Sequence, residues 1–164
     1  MIALALIASA TVAQAAEKVT LSGVHNCCGK CTAGLNKAVG TVAGVTAEIA
    51  GDKVTLSAAT AGDLQKAADA IVAAGYTGTS DNAAVKATAG TGPDEKVTSL
   101  TVTGTHMCCG KCVMAAKKAV AAVDGVKSDT IAAGATTFKV EGSFNAKALM
   151  EALAKAGFTG TATK

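Results

Sequence analysis

The sequence predicts an α+β fold laid down twice along one chain of 164 residues. Three observations carry this. A cysteine-rich heptapeptide occurs twice, as His25-Asn26-Cys27-Cys28-Gly29-Lys30-Cys31 and as His106-Met107-Cys108-Cys109-Gly110-Lys111-Cys112. Around each copy the apolar residues switch in the same order between a period of two and a period near 3.6. Between the copies lies a segment with no period, and it holds the only proline, Pro93.

The heptapeptides stand 81 positions apart (106 minus 25), and the likeness continues past them. Lys37/Lys118, Ala38/Ala119, Val39/Val120, Val42/Val123 and Gly44/Gly125 keep that offset. Gly75-Tyr76-Thr77-Gly78 pairs with Gly157-Phe158-Thr159-Gly160 at 82 (157 minus 75). One residue is therefore inserted in the second copy, between Val126 and Ile131. This is an internal duplication.

Each copy opens with a strand. Val19 and Leu21, then Leu100 and Val102, alternate with Thr and Ser, so one face is buried. Gly23 and Gly104 let the chain leave the strand for the cysteine loop. A helix follows, with Cys31, Leu35, Val39 and Val42 on one stripe, matched by Cys112, Ala116, Val120 and Val123. Gly44 and Gly125 are expected to stop it. Two strands come next, near 45–49 and 53–57, turning at Gly51-Asp52. Their counterparts fall near 126–131 and 136–141, turning around Gly134. A second helix carries Leu64, Ala67, Ala68 and Ile71, capped by Thr60 with Asp63. In copy two it carries Leu149, Ala152, Leu153 and Ala156, with Ser143 or Asn145 as cap. Gly75 and Gly157 end these helices, and a short strand closes each copy. The order β-α-β-β-α-β is the ferredoxin-like arrangement. The chain thus reads as two such domains in tandem, 17–80 and 96–164, joined by a flexible linker over 81–95.

Half the residues are apolar, but mostly alanine and valine, with one tyrosine, three phenylalanines and no tryptophan. Cores built of such small side chains are thin. The net charge of +3 comes with no basic run and no interleaved aromatics. That pattern argues against nucleic-acid binding. Residues 1–16 are uncharged and apolar and end in Ala13-Gln14-Ala15, a small-x-small pattern that reads as a signal peptide without its basic start. The run falls short of the roughly 20 residues that span a bilayer. The expectation is an exported chain, periplasmic or secreted, with no membrane span after its leader is removed.

All six cysteines and both histidines sit in the two heptapeptides. Thiolates are soft, polarizable donors, so the loops read as soft-metal sites. The second cysteine of each pair, Cys31 or Cys112, sits at the helix start beside Lys30 or Lys111, and both effects should favour thiolate there. The candidate ligands are His25, Cys27, Cys28 and Cys31, then His106, Cys108, Cys109 and Cys112. A His plus three Cys matches a closed tetrahedral zinc site. Adjacent side chains point apart in an extended chain. Either each loop curls tightly, or Cys27 and His25 face a second ion, the other domain or a partner. Tyr76 and Phe158 are expected to pack near the loops.

With fold and loop in place, the chain resembles a tandem of heavy-metal-associated domains. That family includes copper chaperones, N-terminal modules of copper-exporting ATPases and periplasmic mercury-binding proteins. Its Met-x-Cys-x-x-Cys signature stands whole at Met107 to Cys112, and with Asn26 in the methionine place in copy one. The resemblance implies Cys28 with Cys31, and Cys109 with Cys112, as thiol pairs for Cu(I) first, with Zn(II) or Hg(II) as alternatives. It implies a metal transporter or other metal-accepting protein as partner. His25 and His106, where the family usually has glycine, and Cys27 and Cys108 depart from its pattern, and each adds a ligand. The reading is a non-enzymatic chaperone, scavenger or buffer of soft metal ions. Two other readings compete. A thiol–disulfide redox protein would use the same Cys-x-x-Cys pairs, but the fold differs from thioredoxin and Pro93 lies in the linker. An iron–sulfur carrier needs four thiolates where each loop has three.

Overall fold

The computed structural model describes residues 16–164. The leader expectation over 1–16 therefore falls, save its last residue, outside the described residues.

In the first domain β1 (Glu17–Ser22), α1 (Gly29–Val39), β2 (Thr46–Ala50), β3 (Lys53–Ala58), α2 (Ala61–Ala73) and β4 (Thr79–Ser80) follow in order. The second repeats them as β5 (Lys96–Thr103), α3 (Gly110–Ala121), β6 (Val126–Asp129), β7 (Thr137–Asn145), α4 (Ala146–Lys155) and β8 (Thr161–Thr163). Each domain is a four-stranded antiparallel sheet, ordered β2-β3-β1-β4 and β6-β7-β5-β8, with two helices against it. The α+β ferredoxin-like fold is as the sequence predicts.

Register follows the alternation of apolar residues. Val19 faces Leu56 and Leu21 faces Val54, while Leu100 faces Val140 and Val102 faces Phe138. All eight are buried. Against them α2 lays Leu64, Ala67, Ala68 and Ile71, and α4 lays Leu149, Met150 and Leu153. Thr60 caps α2 by accepting from the Asp63 N–H, and Asn145 caps α4 by accepting from Ala148.

Three expectations change. The helices α1 and α3 stop at Val39 and Ala121, a turn before Gly44 and Gly125. Those glycines hold φ of 76° and 88° in the turns into β2 and β6, so they fit the left-handed turn rather than the helix end. Strand β6 ends at Asp129, and β7 runs on to Asn145 through irregular pairing at Val126/Ser128, with Gly142 at φ 146°. A bulge breaks the strict alternation on which strand length was read. Lastly, the linker over 81–95 is laid down on both domains. Val85 and Ala87 are buried. Lys86 exchanges two hydrogen bonds with the Gln65 side chain, and Thr77 donates to the Ala87 carbonyl. The Gly90 N–H donates to Thr159, and Pro93 and Glu95 accept from the first turn of α4. Single anchors of this kind leave no period in the sequence.

The domains meet through the ends of α2 and α4. At α2, Tyr76 N–H donates to the Ile71 carbonyl and Gly75 N–H to Val72. This is a Schellman cap with glycine in the left-handed region, φ 88°. Helix α4 ends the same way, Phe158 bonding Leu153 and Gly157 bonding Ala154. Beyond each cap the chains pair. Thr77 N–H donates to the Gly157 carbonyl and Thr159 N–H to Gly75, both at 3.2 Å, and Tyr76 lies across from Phe158.

Candidate metal centre

Each cysteine loop is tied to the β-hairpin of its own domain. Val24 N–H donates to Asp52 and Thr105 N–H to Thr136. In copy two Met107 is buried, and its carbonyl accepts from Gly134. In copy one Asn26 does this work with hydrogen bonds. Its amide donates to the Gly51 carbonyl at 2.8 Å and its oxygen accepts from Thr32 at 2.9 Å. Asparagine thus replaces the buried methionine by polar anchoring.

The loops then face each other. Cys28 and Cys109 are the N-cap residues of α1 and α3, in extended conformation. Cys31 and Cys112, in the first turns, are fully buried. Within copy one, the Cys31 sulfur lies 3.7 Å from Cys27 and 3.9 Å from Cys28. Within copy two, Cys112 lies 3.6 Å from Cys108 and 3.8 Å from Cys109. Across the domains Cys27 reaches Cys109 and Cys112, both at 3.6 Å. Cys28 reaches Cys108 at 3.8 Å and Cys109 at 3.9 Å, and Cys31 reaches Cys108 at 3.4 Å and Cys112 at 3.9 Å. All six sulfurs therefore belong to one cluster, and all six are free thiols. These separations are van der Waals contacts, far from the roughly 2.05 Å of a disulfide.

The histidines flank this cluster. His106 stacks on Tyr76 with ring centroids 4.3 Å apart, and His25 lies 4.3 Å from Phe158. Each imidazole is thus covered by the aromatic residue of the opposite domain. The fit leaves no room for a side chain at the glycine before each ring. A Cβ on Gly75 would lie 2.5 Å from the backbone nitrogen of His106, and one on Gly157 would collide with the backbone nitrogen of His25. Nε2 of both histidines is buried without a hydrogen-bond partner among the described residues. Burial holds both imidazoles below their usual range, and His25 adds to this at His106. Neutral imidazoles with an unused nitrogen are competent ligands.

The thiols divide by position. Cys28 is held below its ordinary range chiefly by the Cys31 backbone N–H, and Cys109 is pulled down to about 6 chiefly by that of Cys112. Helix N-termini favour thiolate in this way. The backbone donors act here, where the sequence also pointed to the side chains of Lys30 and Lys111. Burial, followed by the hydrogen bonds that their S–H groups give to neighbouring sulfurs, pushes Cys27 and Cys108 strongly up, and burial raises Cys112, against the lowered thiol expected at that position.

Sets of these side chains place one ligand atom each within 4.8 Å of one another: Cys31, His106, Cys108 and Cys112; His25, Cys27 and Cys112; and Cys27, Cys28 and Cys109. The structure thus brings together all eight residues named from the sequence. Tyr76 and Phe158 pack near the cysteine loops as the sequence suggests, but that each covers the histidine of the opposite domain had no sequence signal.

Residues 101–159 match the family described as heavy-metal-associated domain. No curated protein matches the chain. Among solved structures, the solution structure of the N-terminal soluble domains of Bacillus subtilis CopA shares 18% identity, over 92% of this chain and 95% of that one, with a TM-score of 0.31. The family match lies in the second domain, includes one cysteine loop, and supports heavy-metal binding there. No helix among the described residues is long and apolar enough to cross a membrane.

Proposed function

We propose that this chain is an exported, non-enzymatic protein that binds soft metal ions through both cysteine loops and passes them to a metal transporter or other acceptor. The carrying observation is the convergence of six free thiols and two unpartnered imidazoles from two domains. Cu(I) is the cargo its thiolates suit first, with Zn(II) and Hg(II) held by the same donors. The N-cap thiolates of Cys28 and Cys109 suit transfer, because an incoming ligand can displace one sulfur at a time. Export rests on the leader at 1–16, and tandem family membership rests on the duplication and on the match within copy two.

The test is anaerobic titration of the reduced chain with Cu(I), Zn(II) and Hg(II) against a competing chelator. Tight binding of at least one ion supports the proposal. Failure of all three to bind, together with catalysis of insulin reduction, would replace it with the thiol–disulfide reading.

A further inference from the structure

Two sulfurs occupy the middle of the cluster. Cys31 and Cys112 are wholly buried, 3.9 Å apart, and come from different domains. On one flank Cys108 lies 3.4 Å from Cys31 and 3.6 Å from Cys112. On the other Cys27 lies 3.7 Å and 3.6 Å from the same two. The pair is therefore the shared edge of two sulfur triangles. Each triangle has a histidine beside it. His106 lies within 4.8 Å of all three sulfurs of its triangle, and His25 within 4.8 Å of Cys27 and Cys112.

The separations agree with a high coordination number, and the two histidines mark which sulfurs share an ion. Ligands about 2.3 Å from an ion stand about 4.6 Å apart when opposite, about 4.0 Å in a trigonal plane and about 3.8 Å in a tetrahedron. The five separations in the two triangles run from 3.4 to 3.9 Å. They fit three thiolates around each ion and are too short for a linear pair; His106 stands near all three sulfurs of its triangle as a fourth ligand, and His25 near Cys27 and Cys112.

We infer that the closed domains form a dinuclear centre for two soft divalent cations of the zinc(II) and mercury(II) class. Cys31 and Cys112 bridge the ions, His25 with Cys27 completes one site, and His106 with Cys108 completes the other. The inference rests on the metal-binding reading above and, for this closed centre, puts the divalent ions before Cu(I). Charge favours the divalent class. Four thiolates and two divalent ions sum to zero, the state a buried site tolerates, whereas two Cu(I) would leave two negative charges in the interior. Each ion would displace protons from its thiols as it binds.

This assignment frees Cys28 and Cys109. Their sulfurs are 3.9 Å apart in an open depression shared with Lys30, Lys111 and Met114. Met114 is 66% exposed, the one large apolar side chain so placed among the described residues. Two thiols and a thioether at the mouth form a landing site for soft ions, with the closed centre behind them.

The test uses the full reduced chain loaded with Zn(II), native mass spectrometry for stoichiometry, and iodoacetamide with peptide sequencing for protection against the metal-free chain. The expected result is two zinc ions per chain, protection of Cys27, Cys31, Cys108 and Cys112, and modification of Cys28 and Cys109. Cys31→Ser should lose both tightly held ions together, because it removes a bridge. If that variant does not fold, the protection pattern of the native chain decides. Protection of Cys28 and Cys109 with Cys27 and Cys108 modified, protection of all six, or a single zinc per chain would each overturn the dinuclear centre and leave the soft-metal function standing. Tight Cu(I) binding without zinc binding would do the same. Binding of neither ion would remove the centre and the proposed function together.

Discussion

Gly34, in the middle of α1, faces the hydroxyl of Tyr76. A Cβ there would lie 2.5 Å from that oxygen. The hydroxyl is buried and donates to the Cys31 carbonyl at 3.3 Å. The second domain has Ala115 and Phe158 at the matching places. The two pairs look like alternative fillings of one space, and a double-mutant cycle tests this. Gly34→Ala gains about 1 kcal/mol of helix propensity. Overpacking against Tyr76 costs about 1–3 kcal/mol, so the single variant should be destabilised by about 1 kcal/mol. Tyr76→Phe alone loses one modest hydrogen bond, about 0.5–1.5 kcal/mol. In that background the clash is gone, and Gly34→Ala should now stabilise by about 1 kcal/mol. The sign reversal amounts to a coupling of about 2 kcal/mol, well beyond what independent sites show. Urea denaturation followed by far-ultraviolet circular dichroism measures all four proteins. If Gly34→Ala has the same sign in both backgrounds, the two pairs are not alternatives and the packing argument fails.

Three further outcomes are expected. Thr105 is buried with its hydroxyl unpartnered among the described residues, where copy one has Val24, so Thr105→Val should stabilise by about 1 kcal/mol in the same urea assay; a lower midpoint would contradict it. Thr60→Ala removes the α2 cap and should cost about 1 kcal/mol. Asp63, beside that cap, is held below the usual carboxylate range by Lys66 and Thr60. A depressed carboxylate contributes stability that is present above its unfolded pKa near 3.9 and lost as pH falls through the lower folded value. The penalty for Thr60→Ala should therefore shrink in acid titrations, and a penalty that grows there would refute the account. Gly75→Ala forces a side chain into the backbone of the His106 loop at φ 88°, so the domains should part. Small-angle scattering should show a larger radius of gyration, and an unchanged radius would mean that the interface tolerates the intrusion.

The fold was legible because its signals are local. Leu21 beside Ser22, the Leu35–Val39 stripe and the Thr60–Asp63 cap each report a short stretch of backbone. The candidate ligands were legible because cysteine and histidine appear nowhere else. What the sequence could not carry is how the copies sit on each other. Whether Cys27 and Cys28 share an ion depends on what stands opposite, and Cys109 and Cys112 lie more than 80 residues away in sequence. The linker escaped for a similar reason, since Val85 is buried by packing that no neighbour in sequence announces. Bulges at Val97/Ser99 and Val126/Ser128 hid the length of β7 from a period-two count.

The crossed latch has a consequence for what one copy could be by itself. The residue after each helix cap, Tyr76 or Phe158, covers the histidine of the other domain and not its own. A single module would present that ring to water and leave its own imidazole uncovered. It would also hold only three of the six sulfurs. Two free modules would regain the arrangement as a dimer, at a rate and extent set by their concentration. Joining them by about fifteen residues replaces that concentration with a fixed local one, in the millimolar range for a short connection. The duplication thus makes the paired state independent of dilution.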